Sequence, residues 1–310
     1  MAPATGSAGG FVFSGFADEA GDTIAEQIKA TKELGWTRIE SRNIGGKNIH
    51  DIDDGQFEEV AAALSASGVS IDCFGSAVAN WAKDPRKEAD FEQSVAELKR
   101  ALPRMKRLGA KQIRAMSFCA VKDARPDSAE IEEQVVRKLK VLVRMCEDAG
   151  VLYLHENCVN FGGLSWEHAL RLVERIGSPA FRLVFDTGNP VATFDRRGKP
   201  WERQDSLEFY SRVKDFVERI HIKDARFVAP TDKIFHDLDH CWPGEGEGRV
   251  REVLAEAIRS GFKGVFSIEP HMASVHHDLD GAKKALSRYD TYVEYGKKAM
   301  ALVSDVAAKL

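Results

Sequence analysis

Short β-rich segments alternate with longer amphipathic ones eight times along the chain, and this rhythm limits the fold more than any other feature. Strand signals fall at 11–16, 37–40, 69–74, 111–116, 151–155, 182–185, 219–222 and 264–268. Helical patterns follow them at 22–34 (Asp22 as N-cap), near 57–67, and at 87–108, 128–149, 166–176, 206–217, 250–260 and 280–303. Gly35, Gly68, Gly109 and Gly150 stand where helices end, a place that favours a left-handed residue. Pro103 lies inside the third helical pattern and predicts a kink. Strands that alternate with helices imply a parallel sheet with crossovers. Eight such units in 310 residues predict a single α/β domain, a (β/α)8 TIM barrel over 11–310 behind a disordered leader, 1–10. The rival, an open doubly wound sheet, prefers a GxGxxG turn after its first strand, and Ser14-Gly15-Phe16-Ala17-Asp18-Glu19 does not supply one.

Charge and cysteine usage narrow the function. A net charge of −4 gives no reason to expect nucleic acid, which demands a basic surface. No apolar run approaches the roughly 20 residues of a membrane span. Five widely spaced cysteines with no CxxC read as reduced thiols in a cytoplasmic protein.

In parallel barrels the active site forms where the strands end. The last four strands end in Leu154-His155-Glu156, Phe185-Asp186, Ile220-His221 and Ile268-Glu269. Four groups from neighbouring strands therefore point into one mouth. Three clustered carboxylates resist joint ionisation, and a divalent ion resolves the repulsion. An oxygen-rich set with one imidazole suits Mn²⁺ first, then Mg²⁺ or Co²⁺, over a thiolate-loving metal.

With these segments in hand, the sequence resembles the xylose isomerase-like superfamily of sugar isomerases and epimerases. The resemblance runs from Phe16-Ala17-Asp18-Glu19 to Ser267-Ile268-Glu269-Pro270-His271 through the HEN, FDTGN, HIKD and PGEG segments. It implies one metal ion held by Glu156, Asp186, His221 and Glu269, a small sugar-like substrate, and proton transfer by Glu156 and Glu269. It also implies neighbouring chemistries: dehydratases and lyases that eliminate from 3-oxo-sugars or 3-oxo-glycosides. Two departures from the ketose epimerases concern substrate contacts. Asn189 stands where they carry a histidine, and Lys223 and Arg226 are offset from their arginine.

Further candidates lie beside the four ligands. Lys223 shares the strand face of His221 and can either hold a substrate oxygen or pair with Glu269 or Asp186. His271, Asn189, Arg42, Arg114 and Trp81 are candidate substrate contacts, the arginines for an acidic or phosphorylated group. Pairing with Glu40 is the alternative for both arginines. Asn157 is a candidate carboxylate-orienting amide. Gly244-Glu245-Gly246-Glu247-Gly248 reads as a flexible lid or turn, and the insertion 190–204 as a cover over the mouth, walled by Phe194 or Trp201. Barrels of this type often pair through exposed helices or loops, so a homo-oligomer is an expectation.

Overall fold

The computed structural model describes residues 10–195, 202–231, 235–273 and 287–310. Eight strands form one parallel sheet: β1 (Val12–Gly15), β2 (Arg38–Ser41), β3 (Ser70–Gly75), β4 (Gln112–Ala115), β5 (Leu152–Glu156), β6 (Phe181–Asp186), β7 (Val217–Ile222) and β8 (Val265–Ile268). Hydrogen bonding runs in the order β1-β8-β7-β6-β5-β4-β3-β2. Between β1 and β2 the ladder is reduced to a bridge from Phe16 to Glu40, so the barrel is nearly closed.

The helices between and after the strands are α1 (Ile24–Glu33), α2 (Asp54–Ser67), α3 (Glu88–Leu108), α4 (Ala129–Asp148), α5 (Trp166–Ile176), α6 (Ser206–Val213), α7 (Val250–Arg259) and α8 (Arg288–Ala308). Their starts follow capping chemistry. The N-cap of α1 is Thr23 rather than Asp22: its hydroxyl accepts from the Glu26 N–H while the Glu26 carboxylate accepts from the Thr23 N–H. Asp53 and Gln56 repeat that box at α2. At the other ends Gly68, Gly109 and Gly177 adopt the left-handed conformation that closes α2, α3 and α5. α3 is one helix through Pro103. β7 begins two residues earlier than the sequence suggests, because the β-branched Val217 joins β6 opposite Leu183 through a bulge. The expected leader lies outside the described residues apart from Gly10, as does the start of the last helical pattern before Ser287. No described helix is long and apolar enough to cross a membrane.

Alternation along each strand divides the molecule into two cores. Outward residues such as Phe185, Ile220 and Phe266 pack against the helices; Phe185 meets Phe209 and Tyr210 of α6 at 5.7 and 5.2 Å between ring centres. Inside the barrel, Cys73, Leu154 and Val184 form a small apolar plug. Beside it lies a charged layer absent from the sequence reading. Arg219 is fully buried and reaches Glu40 at 3.1 Å, Asp72 at 2.9 Å and the Gln112 amide oxygen at 3.0 Å.

Candidate metal centre at the barrel mouth

The strand rule that splits the cores also builds the site. Counting by twos along β7 gives Arg219, His221 and then Lys223, and along β8 Ser267, Glu269 and then His271. β5 contributes Glu156 and β6 Asp186, and His221 stands in register with both Asp186 and Ser267. One ligand atom from each of Glu156, Asp186, His221 and Glu269 lies within 4.8 Å of the others. The four residues are between 0% and 2% exposed, so water cannot solvate their charges and neighbouring groups must.

Each member is aimed. Asp186 Oδ1 accepts the backbone N–H groups of Gly188 (2.8 Å) and Asn189 (2.7 Å), which leaves Oδ2 for the ring. The Asn157 side chain bonds the Asp186 backbone in both directions, at 2.7 and 2.9 Å. His221 turns Nε2 to Glu40 (3.1 Å) and Nδ1 to the carboxylates: 3.2 Å to Glu156, 3.9 Å to Asp186 and 4.0 Å to Glu269. A proton shared between Nε2 and Glu40 leaves the Nδ1 lone pair facing the ring, the usual arrangement for a ligating histidine. The two glutamates divide their oxygens alike. Glu156 gives Oε1 to the ring side and Oε2 to Arg114 at 2.8 Å. Glu269 gives Oε2 to the ring side and Oε1 to Arg42 at 2.9 Å.

The electrostatics fit a divalent ion. Burial, and after it the charges of Glu269 and Glu156, push Asp186 up to about 7, although Lys223 lies 2.9 Å away. Burial works against the imidazolium of His221, yet Glu40 and Glu156 raise it to about 10. Burial also opposes ionisation of Glu269, but Lys223, His271, Arg42 and His221 hold it well below the usual carboxylate range. A reluctant carboxylate and an imidazole that draws a proton are what a cluster short of positive charge looks like.

The other predicted contacts sort by reach. Lys223 bridges Asp186 and Glu269, both at 2.9 Å, so its ion-pair alternative describes the geometry. Asn189 is 3.5 Å from Glu156 Oε1 through its amide. Arg42 and Arg114 do not pair with Glu40. Arg42 binds Asp18, Glu19 and Glu269, while Arg114 binds Glu156 and the Ser76 carbonyl. Both guanidiniums are long enough to cross the mouth and join the carboxylate ring, and both lie over the Phe16 ring, at 4.5 and 5.6 Å. His271 has a left-handed backbone (φ 52°), with its N–H and Nδ1 both on Glu19 at 2.7 and 2.9 Å. Burial lifts Glu19 to about 7. Trp81 is half-buried and lines a cavity of about 890 Å³ together with Arg42, Arg114, Asn189, Lys223 and His271. His155 faces the helices, against Phe181 and the Ser117 hydroxyl.

One loop reading gains local detail and another changes. The segment 190–204 is not structureless: it holds a helical turn (Asn189–Ala192) and a pair of two-residue strands, Phe194–Asp195 and Glu202–Arg203. Trp201 lies outside the described residues, as does the side chain of Phe194. The glycine-rich run is a pinned turn instead of a flexible lid, because the buried Asp224 carboxylate accepts the N–H groups of Gly244, Gly246 and Gly248, each at 2.9 Å. A Cβ on Gly246 would lie 2.3 Å from Asp224 Oδ1 and 2.6 Å from the Ala225 carbonyl. Gly246→Ala is therefore expected to lower stability by about 1–3 kcal/mol, seen as a lower thermal midpoint; an unchanged midpoint would show the turn to be loosely held.

Glu40, Phe16, Glu19 and Asp224 are site residues the sequence reading did not single out. Glu40 and Phe16 carried a usable signal, since both end strands on the inward parity. Asp224 follows the predicted strand of His221 directly, with no marker of the glycines it gathers.

Fold and mouth together define an α/β barrel with its polar constellation at the strand ends. Residues 28–292 match the xylose isomerase-like TIM barrel family, and the chain belongs to it. A 2-epi-5-epi-valiolone 7-phosphate 2-epimerase from an Actinoplanes species is 30% identical over 160 residues, which is 47% of this chain and 49% of that protein. The match thus spans about half the length of that relative. Among solved structures, a D-tagatose 3-epimerase-like protein superimposes with a TM-score of 0.71 at 16% identity, over 96% of this chain and 99% of the other. A xylose isomerase-like TIM barrel protein from Mycobacterium smegmatis, in complex with magnesium, gives 0.67 at 14% identity over 98% and 99%.

Proposed function

We propose that this protein is a divalent-metal-dependent isomerase or epimerase that moves a proton next to the carbonyl of a ketose or related polyol. The observation that carries the reading is the division of oxygens on Glu156 and Glu269: one toward the ring, one against an arginine in the cavity wall. Glu156, Asp186, His221 and Glu269 would hold the ion, with Mn²⁺ as first choice. When bound, it supplies Lewis-acid stabilisation of the charge that develops on substrate oxygens.

The protein's own groups do the rest. Arg114 keeps Glu156 ionised, and Lys223, His271 and Arg42 keep Glu269 ionised, so each starts as a base. One takes the proton from the carbon next to the carbonyl, a step for which a positioned carboxylate is worth roughly 10²–10⁴-fold. Return of the same proton to the neighbouring carbon gives an isomer; a solvent proton relayed through the other glutamate to the opposite face gives an epimer, the first glutamate then releasing its proton to solvent, and no group is lost. Asn189 and Lys223 lie where they can hold hydroxyl oxygens at the reacting end. The names of the epimerase relatives and the magnesium complex support this reading, as does the physical need of the carboxylate ring for a cation. We extend it to a cytoplasmic setting and a small sugar substrate.

The test is a sugar panel followed by proton NMR in D₂O, on protein stripped with chelator and reloaded with Mn²⁺, Mg²⁺ or Co²⁺. The expected result is about one bound ion per chain, loss of turnover on stripping, and solvent deuterium in a product of unchanged mass apart from the label. An unsaturated or shortened product would instead assign the elimination chemistry of a dehydratase or lyase. Full turnover by metal-free protein would sink the metal-dependent reading.

A further inference from the structure

Two arginines and one ligand of the candidate metal centre share a single aromatic neighbour. Phe16 follows β1 and is fully buried. Its ring centre lies 4.5 Å from the Arg42 guanidinium carbon and 5.6 Å from that of Arg114. The His221 imidazole centre is 5.1 Å away, with the two rings at 68°. Each arginine holds the outer oxygen of one glutamate, Arg42 that of Glu269 at 2.9 Å and Arg114 that of Glu156 at 2.8 Å. The inner oxygens, Glu156 Oε1 and Glu269 Oε2, face His221 Nδ1. Lys223 shows the other course open to a cation here: its ammonium sits on the inner oxygens Asp186 Oδ2 and Glu269 Oε2, both at 2.9 Å.

The backbone of Phe16 is fixed where the barrel closes. Its N–H donates to the Ile268 carbonyl of β8 at 3.0 Å, its carbonyl accepts the Glu19 N–H at 3.0 Å, and its bridge to Glu40 joins β2. Gly75, the last residue of β3, leaves room for the ring. A Cβ there would lie 2.5 Å from Phe16 Cε1 and 3.1 Å from Arg42 Cβ. The ring is thus a fixed plate, and the long arginine side chains come to it.

We propose that Phe16 is a positioning residue of this site. The negative face of its ring anchors the Arg42 and Arg114 guanidiniums at the outer oxygens, and so leaves the inner oxygens of Glu156 and Glu269 to a divalent cation. This rests on the metal-dependent reading above and deepens it.

An aromatic face attracts a cation through its quadrupole, most strongly where water is excluded. The two arginine side chains are only 12% and 10% exposed. A guanidinium is also weakly hydrated and stacks on such faces. Draining charge from the ring weakens the site for a divalent ion by two routes that agree in sign. It frees the arginines to reach the inner oxygens, and it withdraws negative potential from the centre.

Phe16→Leu would remove a fully buried ring and open a cavity, so the test changes the ring's charge at nearly constant shape. Phe16 is replaced in the full chain by para-methyl-, para-fluoro- and trifluorophenylalanine. Mn²⁺ alone is titrated into each chelator-stripped protein, and thermal midpoints are measured before the ion is added. A methyl group is larger than fluorine but enriches the ring, whereas fluorine drains it, so size and charge predict opposite orders. Affinity for Mn²⁺ is expected to be retained with para-methyl, lower with para-fluoro and lowest with trifluoro, about three- to tenfold below wild type. The midpoints should fall in the same order. A flat affinity series overturns the proposal, and so does an order that follows size, with para-methyl weaker than para-fluoro. Wild type that fails to take up Mn²⁺ at millimolar concentration sinks the metal-dependent reading and this proposal together, whereas a flat series on wild type that does bind sinks the proposal alone.

Discussion

Glu269→Gln is expected to cut turnover by at least about 10²–10⁴-fold, the worth of a positioned carboxylate base, while the barrel stays folded. The amide keeps the shape of the side chain, and the cations around it keep other partners: Arg42 retains Asp18 and Glu19, and Lys223 retains Asp186. The loss therefore falls on chemistry and on metal content. It also leaves a second mark. Glu269 is one of the charges that push Asp186 up to about 7, so removing it lets Asp186 ionise at lower pH. Glu156→Gln should be equally inactive and less stable, because Arg114 then keeps only the Ser76 carbonyl. Turnover, bound metal and thermal midpoint, measured on both variants, separate these effects. Near-full activity in either one would refute the proton-transfer assignment.

Much of this arrangement was legible in the sequence because barrel geometry is local in origin. Period-two alternation decides which strand residues face inward, and strand ends decide which reach the mouth. Glu156, Asp186, His221 and Glu269 follow from those two rules without knowledge of any contact. What the sequence hid are pairings whose partners come from distant strands. Arg42 meets Glu269 across 227 positions and Arg219 meets Glu40 across 179, and no local pattern distinguishes these partners from others on the same face. Pairing with Glu40, the alternative to a substrate role for the two arginines, fails for that reason: their reach was known, but not which carboxylates the closing sheet would bring within it. The hidden pairs are not decoration. Glu40 fixes the ring of His221, so the candidate metal centre depends on a layer beneath it that reads, residue by residue, as ordinary strand.

That layer gives the largest expected effect on stability. Arg219 is the shared cation of Glu40 and Asp72 inside the barrel. Burial opposes ionisation of Glu40, yet Arg219, His221 and the Ser267 hydroxyl at 2.6 Å hold it far below the usual carboxylate range. Asp72, with fewer donors, is shifted the other way by burial. Arg219→Met keeps the bulk and removes the charge, leaving the buried Glu40 with only His221 and the half-buried Asp72 with only Arg38, 3.9 Å away, as cationic partners. Breaking a buried pair from one side costs about 3–5 kcal/mol, so a marked fall in unfolding midpoint is expected at neutral pH. Because the folded-state pKa of Glu40 is depressed, its contribution is complete above the ordinary carboxylate pKa and is lost as pH falls through the folded value. In the variant both carboxylates lose the cation that lowers them, so they protonate at higher pH and the repulsion is relieved as pH falls toward the ordinary carboxylate pKa. The gap between the two proteins should therefore be widest near pH 7 and narrow steadily below about pH 5. Adding Glu40→Gln and Asp72→Asn to Arg219→Met should recover much of the lost stability, since a neutral network leaves no charge unpaired. The triple variant would still bind metal poorly, because His221 has lost the carboxylate that holds its Nε2–H. A gap that stayed constant from pH 7 to pH 4 would mean that Arg219 stabilises the barrel by packing, with its charge contributing little.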